Sequence, residues 1–224
     1  MTTRVRVWHH HDGLRVELAG GLLRPQRVAD GPYGPRIGLV ATSALLLGGD
    51  AVDLAVELGP GTRLDLFDVA GTVAYHGRGR PAVWRTALAL DDGAGLTYSG
   101  QPLVVSDGAD VTRVVRVDAA GSARLSLRET LVLGRHGQAG GRVRSRTDLR
   151  VDGADIWRED TDLDPAGLRD LPGLLGGCRV VDTVLTLGPP PPARPPALAY
   201  TLLGGVGTVT RWLGRELADS PLHG

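Results

Sequence analysis

Apolar residues recur at every second position along much of this chain, the pattern of half-buried β-strands rather than helices. In "VDLAVEL", Val52, Leu54, Val56 and Leu58 share one face, with Asp53, Ala55 and Glu57 on the other. In "SARLSLRETLVL", Ala123, Leu125, Leu127, Leu131 and Leu133 face one way and Arg124, Ser126, Arg128 and Thr130 the other, with Glu129 interrupting the apolar side. "GRVRSRTDLRV" sets Val143, Ser145, Thr147, Leu149 and Val151 against Arg142, Arg144, Arg146, Asp148 and Arg150. Glycine-rich turn signals separate such runs at 59–64, 91–96 and 118–125, intervals of roughly 30 residues. The pattern predicts a mainly β protein, an antiparallel sheet or sandwich built as a meander of long hairpins. The spacing is too irregular for a strict solenoid repeat.

Helical signals are confined to the C-terminal third. Asp164 followed by Pro165 suits a short helix start that Pro172 cuts off. "GPPPPARPP" at 188–196 reads as a stiff connector before the last hairpin. In the following "AYTLLGGVGTVTRWLGRELADS", Gly204, Gly205 and Gly207 favour two strands and a turn, with a helical turn only near Arg215 to Ala218. At 224 residues, one domain spanning 1–224 is expected.

"LGRHGQAGGR", residues 133–142, has the glycine spacing of a phosphate loop. Such a loop works when a strand leads through it into a helix whose N–H groups meet the anion. Here a strand follows, and the chain has no lysine to reach a phosphate. The stretch is therefore read as a hairpin loop. Pairing Leu133 with Val143 keeps apolar opposite apolar down to Leu125 beside Val151, and sets Arg128 against Asp148 and Arg124 against Asp152. The same register puts Glu129 opposite Thr147 on the inner face, where its carboxylate needs a partner such as Arg135.

Composition narrows the chemistry. The 25 basic residues, all arginine, balance 25 acidic ones, which argues against a nucleic-acid binder's positive field. The absence of lysine excludes Schiff-base chemistry. A single cysteine, Cys178, forms no internal disulfide and fits a reducing cytosol. The N-terminus lacks a signal-peptide core and "IGLVATSALLLGG" is too short to span a bilayer, so a cytoplasmic protein without membrane contact is expected. On a strand, adjacent histidines point to opposite faces, so of His9, His10 and His11 at most His9 and His11 could share an ion, and no metal ligand is assigned. Asp160, Asp162 and Asp164 begin like a calcium loop, but Pro165 and Leu171 occupy the positions that need glycine and glutamate.

"LLLGGDAVDLAVELGPGTRLDLFDVAGTVAY", followed by "RETLVLGRHGQAGGRVRSRTDLRVDG" and "RWLG", resembles the urease accessory protein UreD (UreH) family from about Leu22 to Gly214. The chain departs from that pattern at Phe67, Asp68 and Val69, where the family commonly has Thr-Thr-Gln, and at Gly140 and Gly141, where it has Gly-Glu. It also ends soon after "RWLG", a C-terminally shortened member by comparison. The resemblance implies a mostly β, non-catalytic cytoplasmic scaffold that binds the urease structural subunits and, with UreF and UreG, assists nickel insertion. It likewise implies that no cofactor is held tightly and that nickel is at most in transit.

Asp50, after Gly48 and Gly49, corresponds to the family's Gly-Gly-Asp. With Glu129 and Arg135 it is an internal polar or nickel-passage candidate; turn chemistry is the alternative for Asp50. Arg124, Arg128, Arg142, Arg144 and Arg146 form the candidate partner surface. Two other readings stand beside this one. The first is a nucleic-acid-binding module using those arginines; the second is a metal-dependent hydrolase around His76 and His136.

Overall fold

The computed structural model describes residues 1–31, 34–165, 170–189, 192 and 194–222. Two sheets face each other. The first runs in the order β14-β13-β11-β8-β5-β1-β2, comprising β1 (Thr3–His10), β2 (Gly13–Ala19), β5 (Ala51–Leu58), β8 (Ala82–Leu90), β11 (Asp110–Ala119), β13 (Arg142–Val151) and β14 (Ala154–Leu163). The second runs β16-β17-β15-β12-β9-β6-β4-β3, comprising β3 (Leu23–Gly31), β4 (Gly34–Ala41), β6 (Arg63–Asp68), β9 (Gly95–Ser99), β12 (Arg124–Leu133), β15 (Val180–Leu187), β16 (Leu198–Thr201) and β17 (Gly207–Gly214). Two short strands, β7 (Thr72–Ala74) and β10 (Leu103–Val105), join it through β12.

The mainly β expectation holds, and so does the alternation. Val52, Leu54, Val56 and Leu58 are buried, as are Leu125, Leu127, Leu131 and Leu133, and Val143, Leu149 and Val151. These inward faces form one core that is poor in aromatics, with Ile37, Leu54, Leu66, Leu88 and Leu127 fully enclosed. Each such side chain contributes about 1.5–3 kcal/mol by leaving water.

Strand pairing departs from a hairpin meander. β5, β8, β11 and β13 are mutually parallel, with Ala51 beside Val83, Ala82 beside Val111 and Asp110 beside Arg142. β4, β6, β9 and β12 are parallel as well, with Arg36 beside Asp65, Arg63 beside Gly95 and Gly95 beside Arg124. Parallel neighbours need a crossover, and here the strand in the opposite sheet supplies it in place of a helix. The chain winds from sheet to sheet, and the glycine turns are the corners of that winding. The corners stack: Gly61 N–H donates to Asp92 O, Gly95 N–H to Thr62 O and Arg124 N–H to Ala94 O, each at 2.8 Å.

The proposed pairing of 124–133 with 142–151 is accordingly corrected. β12 lies in the second sheet between β9 and β15, and β13 in the first between β11 and β14. Arg128 therefore does not face Asp148, nor Arg124 Asp152, nor Glu129 Thr147 across a ladder. A corner between sheets and a hairpin turn draw on the same glycine chemistry, so the local pattern could not separate them.

True hairpins do occur at the two ends of the chain: β1 with β2, β3 with β4, β13 with β14, and β16 with β17. The last matches the two-strand reading of 198–214, with a short 3₁₀ turn at Leu203–Gly205. A second 3₁₀ turn, Leu217–Asp219, falls at the expected helical turn. The helix start at Asp164 runs into residues 166–169, outside the described residues, as do parts of the 188–196 connector; 170–177 forms turns.

Candidate functional site

Where the alternation should place apolar groups inward, several strands place charge. Arg113 of β11 and Glu159 of β14 point in from the first sheet, Glu129 of β12 and Arg211 of β17 from the second. They line a cavity of about 270 Å³ between the sheets, together with Thr147, Trp157, Thr183 and Tyr200. Both charge pairs bridge the sheets. Arg113 meets Glu129 at 2.6 Å, each side chain only 16% exposed. Arg211 donates to both oxygens of Glu159, at 2.6 and 2.8 Å, and its Nε donates to Thr183 Oγ1 at 3.1 Å. The Arg211 hydrogen bonds outweigh burial and hold the Glu159 carboxyl below its ordinary range.

Beside this pair lies Asp68, at the inward end of β6. Its Oδ1 accepts from the Tyr98 hydroxyl and its Oδ2 from the Gln101 N–H, both at 3.1 Å. Burial pushes the Asp68 carboxyl up to about 6, against the opposing pull of those two bonds and of the Arg113 charge. Burial, reinforced by Asp68, likewise raises the Tyr98 phenol well above its ordinary value. Asp68, Tyr98, Arg113 and Glu129 thus form a polar group continuous with the cavity wall.

A third polar centre sits on the opposite face of the second sheet. Asp182 of β15 has no exposed side-chain surface and accepts four bonds: from Arg128 at 3.1 and 2.8 Å, Thr130 at 2.9 Å and Ser220 at 2.5 Å. Burial would raise its pKa, but Arg128, Ser220 and Thr130 together hold it below the ordinary value. The chain after β17 is thereby tied over this face, where Trp212 and Leu222 pack with Val180.

The sequence-derived sites are only partly brought together. Glu129 faces the interior as expected, but its partner is Arg113. Arg135 is exposed and stacks over Tyr75, 4.9 Å from the ring centroid. Asp50 makes a turn, its Oδ2 accepting from Leu47 N–H at 3.0 Å. The five arginines do not share one surface. Arg124 and Arg128 belong to the second sheet, Arg142, Arg144 and Arg146 to the first. Four of them are paired: Arg128 with Asp182, Arg142 with Asp162, Arg144 with Asp110 and Arg146 with Asp148. Arg113, Glu159, Arg211 and Asp182 went unnoticed in the sequence, and Asp68 entered only as a departure from the family pattern. The available signal was the one that exposed Glu129, a charge on an apolar-period face: Arg113 between Val111 and Val115, Arg211 between Val209 and Leu213.

The 134–141 loop carries the chain from the second sheet to the first and leads into a strand, not a helix. Its N–H groups are met by the chain itself: Gly134 and Gly141 donate to Val105 O, and Gly140 donates to Asp107 Oδ1 at 2.6 Å. Gly134, Gly137 and Gly140 all have positive φ, which accounts for the glycine spacing. Among the described residues, neither His76 nor His136 belongs to a set of three metal-ligating side chains. No described helix is long and apolar enough to cross a membrane.

Two facing β-sheets, with Arg113–Glu129 and Arg211–Glu159 bridging them across a cavity otherwise lined largely by apolar groups, define a mainly β protein. Comparison with known proteins gives the family. The description of the UreD urease accessory protein family matches residues 5–217. Urease accessory protein UreD 1 of Streptomyces griseus is 44% identical over 197 residues, covering 88% of this chain and 77% of the relative. UreD 1 of Saccharopolyspora erythraea is 36% identical over 93% of this chain and 94% of its own length, and UreD of Streptomyces coelicolor 33% identical over 82% and 77%. The chain belongs to the UreD family of urease accessory proteins.

Proposed function

We propose that this protein is a non-catalytic, cytoplasmic urease maturation factor that binds the urease structural subunits and, with UreF and UreG, assists nickel insertion. The observation that carries this reading is family membership across residues 5–217. The interior charges support it: Arg113 is paired with Glu129 and Arg211 with Glu159, so the two carboxylates that line the cavity are held by arginines and are not poised as general bases.

Of the three residues considered for a nickel passage, Glu129 lines the cavity, whereas Asp50 and Arg135 lie in surface turns. A divalent ion in the cavity would have to displace Arg113 or Arg211 from its carboxylate, so the site suits passage better than residence. The surface arginines, most of them already paired with aspartates, fit a mixed-charge protein contact better than a phosphate backbone.

The test is genetic and biochemical. Deleting the gene leaves urease folded but without nickel, and the purified chain co-elutes with urease subunits or UreF at low salt. Fully metallated urease in the deletion strain overturns the reading. Narrowing the cavity with Thr147→Phe lowers the nickel content of urease while co-elution persists; unchanged nickel content removes the passage and leaves the scaffold.

A further inference from the structure

The β1–β2 hairpin closes through a two-residue loop, His11 and Asp12, between the paired ends His10 and Gly13. Strict strand alternation would send His10 and His11 to opposite faces. The turn ends that alternation. The His10 and His11 rings lie 3.9 Å apart between centroids, tilted by 49°, and His10 Nδ1 is 2.5 Å from Asp12 Oδ1. One ligand atom from each of His10, His11 and Asp12 falls within 4.8 Å of the others, the one such trio among the described residues.

We propose that the β1–β2 turn is a surface site for a divalent first-row transition metal, held by imidazoles of His10 and His11 and by the Asp12 carboxylate. Ligands about 2.1 Å from a shared ion stand roughly 3 to 3.5 Å apart. The three groups are exposed, so small side-chain rotations bring them to that spacing without disturbing packing. Arg15 bonds to the other oxygen, Asp12 Oδ2, and so orients the carboxylate, while Oδ1 and His10 Nδ1, now in contact with each other, would exchange that contact for the ion. Two imidazole nitrogens and one oxygen select Ni²⁺, Cu²⁺ or Zn²⁺ over Mg²⁺ or Ca²⁺, which prefer all-oxygen shells. With three protein ligands on a surface turn, the remaining positions are open to water or to a partner's side chain. That arrangement suits an exchangeable ion.

The site is separate from the interior cavity. β1 and β2 form one edge of the first sheet, whereas the cavity lies toward the opposite edge, at β11, β13 and β14. The inference therefore does not depend on the maturation role, and either can fail without the other.

Equilibrium dialysis of the untagged full-length chain against NiCl₂ and ZnCl₂, with excess MgCl₂ present, tests it. The expected result is saturable uptake of about one equivalent, lost in His10→Ala/His11→Ala, weakened about tenfold in Asp12→Asn and retained in His9→Ala. In parallel, Ni²⁺ should broaden the imidazole NMR signals of His10 and His11 before those of His76 and His136. Absence of saturable uptake, uptake unchanged in the double variant, or an equal loss in His9→Ala would each overturn the proposal.

Discussion

Arg113 and Glu129 reach across the molecule from opposite sheets and meet at 2.6 Å on the cavity wall. Neither is well solvated, so each charge depends on the other. Replacing either alone with alanine strands the remaining charge and should cost on the order of 3 kcal/mol in denaturant unfolding. Arg113→Met combined with Glu129→Leu should recover most of that loss. A double variant as unstable as the sum of the singles would show that the two do not act as a pair.

Asp68 gives the protein a pH signature. Its folded-state carboxyl is raised by burial to about 6, above the ordinary 3.8, so the folded chain binds this proton more tightly than the unfolded one. The stability it contributes is present in full below about 4, declines as pH rises through about 6, and is flat above. The Asp68 side-chain ¹³C resonance should titrate with a midpoint near 6, and Asp68→Asn should remove the decline. A midpoint near 4 would refute the assignment.

Asp182 has the opposite sign. Arg128, Ser220 and Thr130 outweigh burial and hold it below its ordinary value, so its contribution is present above about 3.8 and is lost as pH falls through the folded value. Ser220→Ala should cost about 1.5–3 kcal/mol, the worth of a hydrogen bond to a charged group. It should also speed amide exchange in residues 217–222, which the bond ties down. Unchanged exchange there would mean that packing of Leu222 alone secures the segment.

Two glycines of one loop should behave differently. A Cβ on Gly141 would lie 2.2 Å from Ala109 O and 2.7 Å from Ser106 O, both backbone atoms. A Cβ on Gly137 would meet nothing within 4 Å, and only its positive φ of 75° opposes a side chain. Gly137→Ala should cost about 1 kcal/mol, and Gly141→Ala distinctly more, because the backbone of the 106–109 turn must move. Thermal unfolding of the two variants compares them directly; equal melting temperatures would refute the close approach.

Much of this molecule was legible in its sequence. Period-two patterning identified the strands and their inward faces, and Glu129 betrayed a polar interior. Pairing was not legible, because glycine turns at 59–64, 91–96 and 118–125 look alike whether they reverse a hairpin or carry the chain to another sheet. Partners suffered accordingly. Arg128 finds Asp182, 54 residues away, because β15 rather than β13 lies beside β12. Local spacing carries no record of that adjacency.

The stacked corners bear on how such a chain can change length. Each circuit of the backbone is hydrogen-bonded to the circuits on either side, so inserting a few residues within one would shift every ladder beyond it. A whole circuit, added or removed, would leave its neighbours with matching edges. Gain and loss by complete circuits is thus the natural unit of growth for this architecture, with small insertions confined to the turns of the end hairpins.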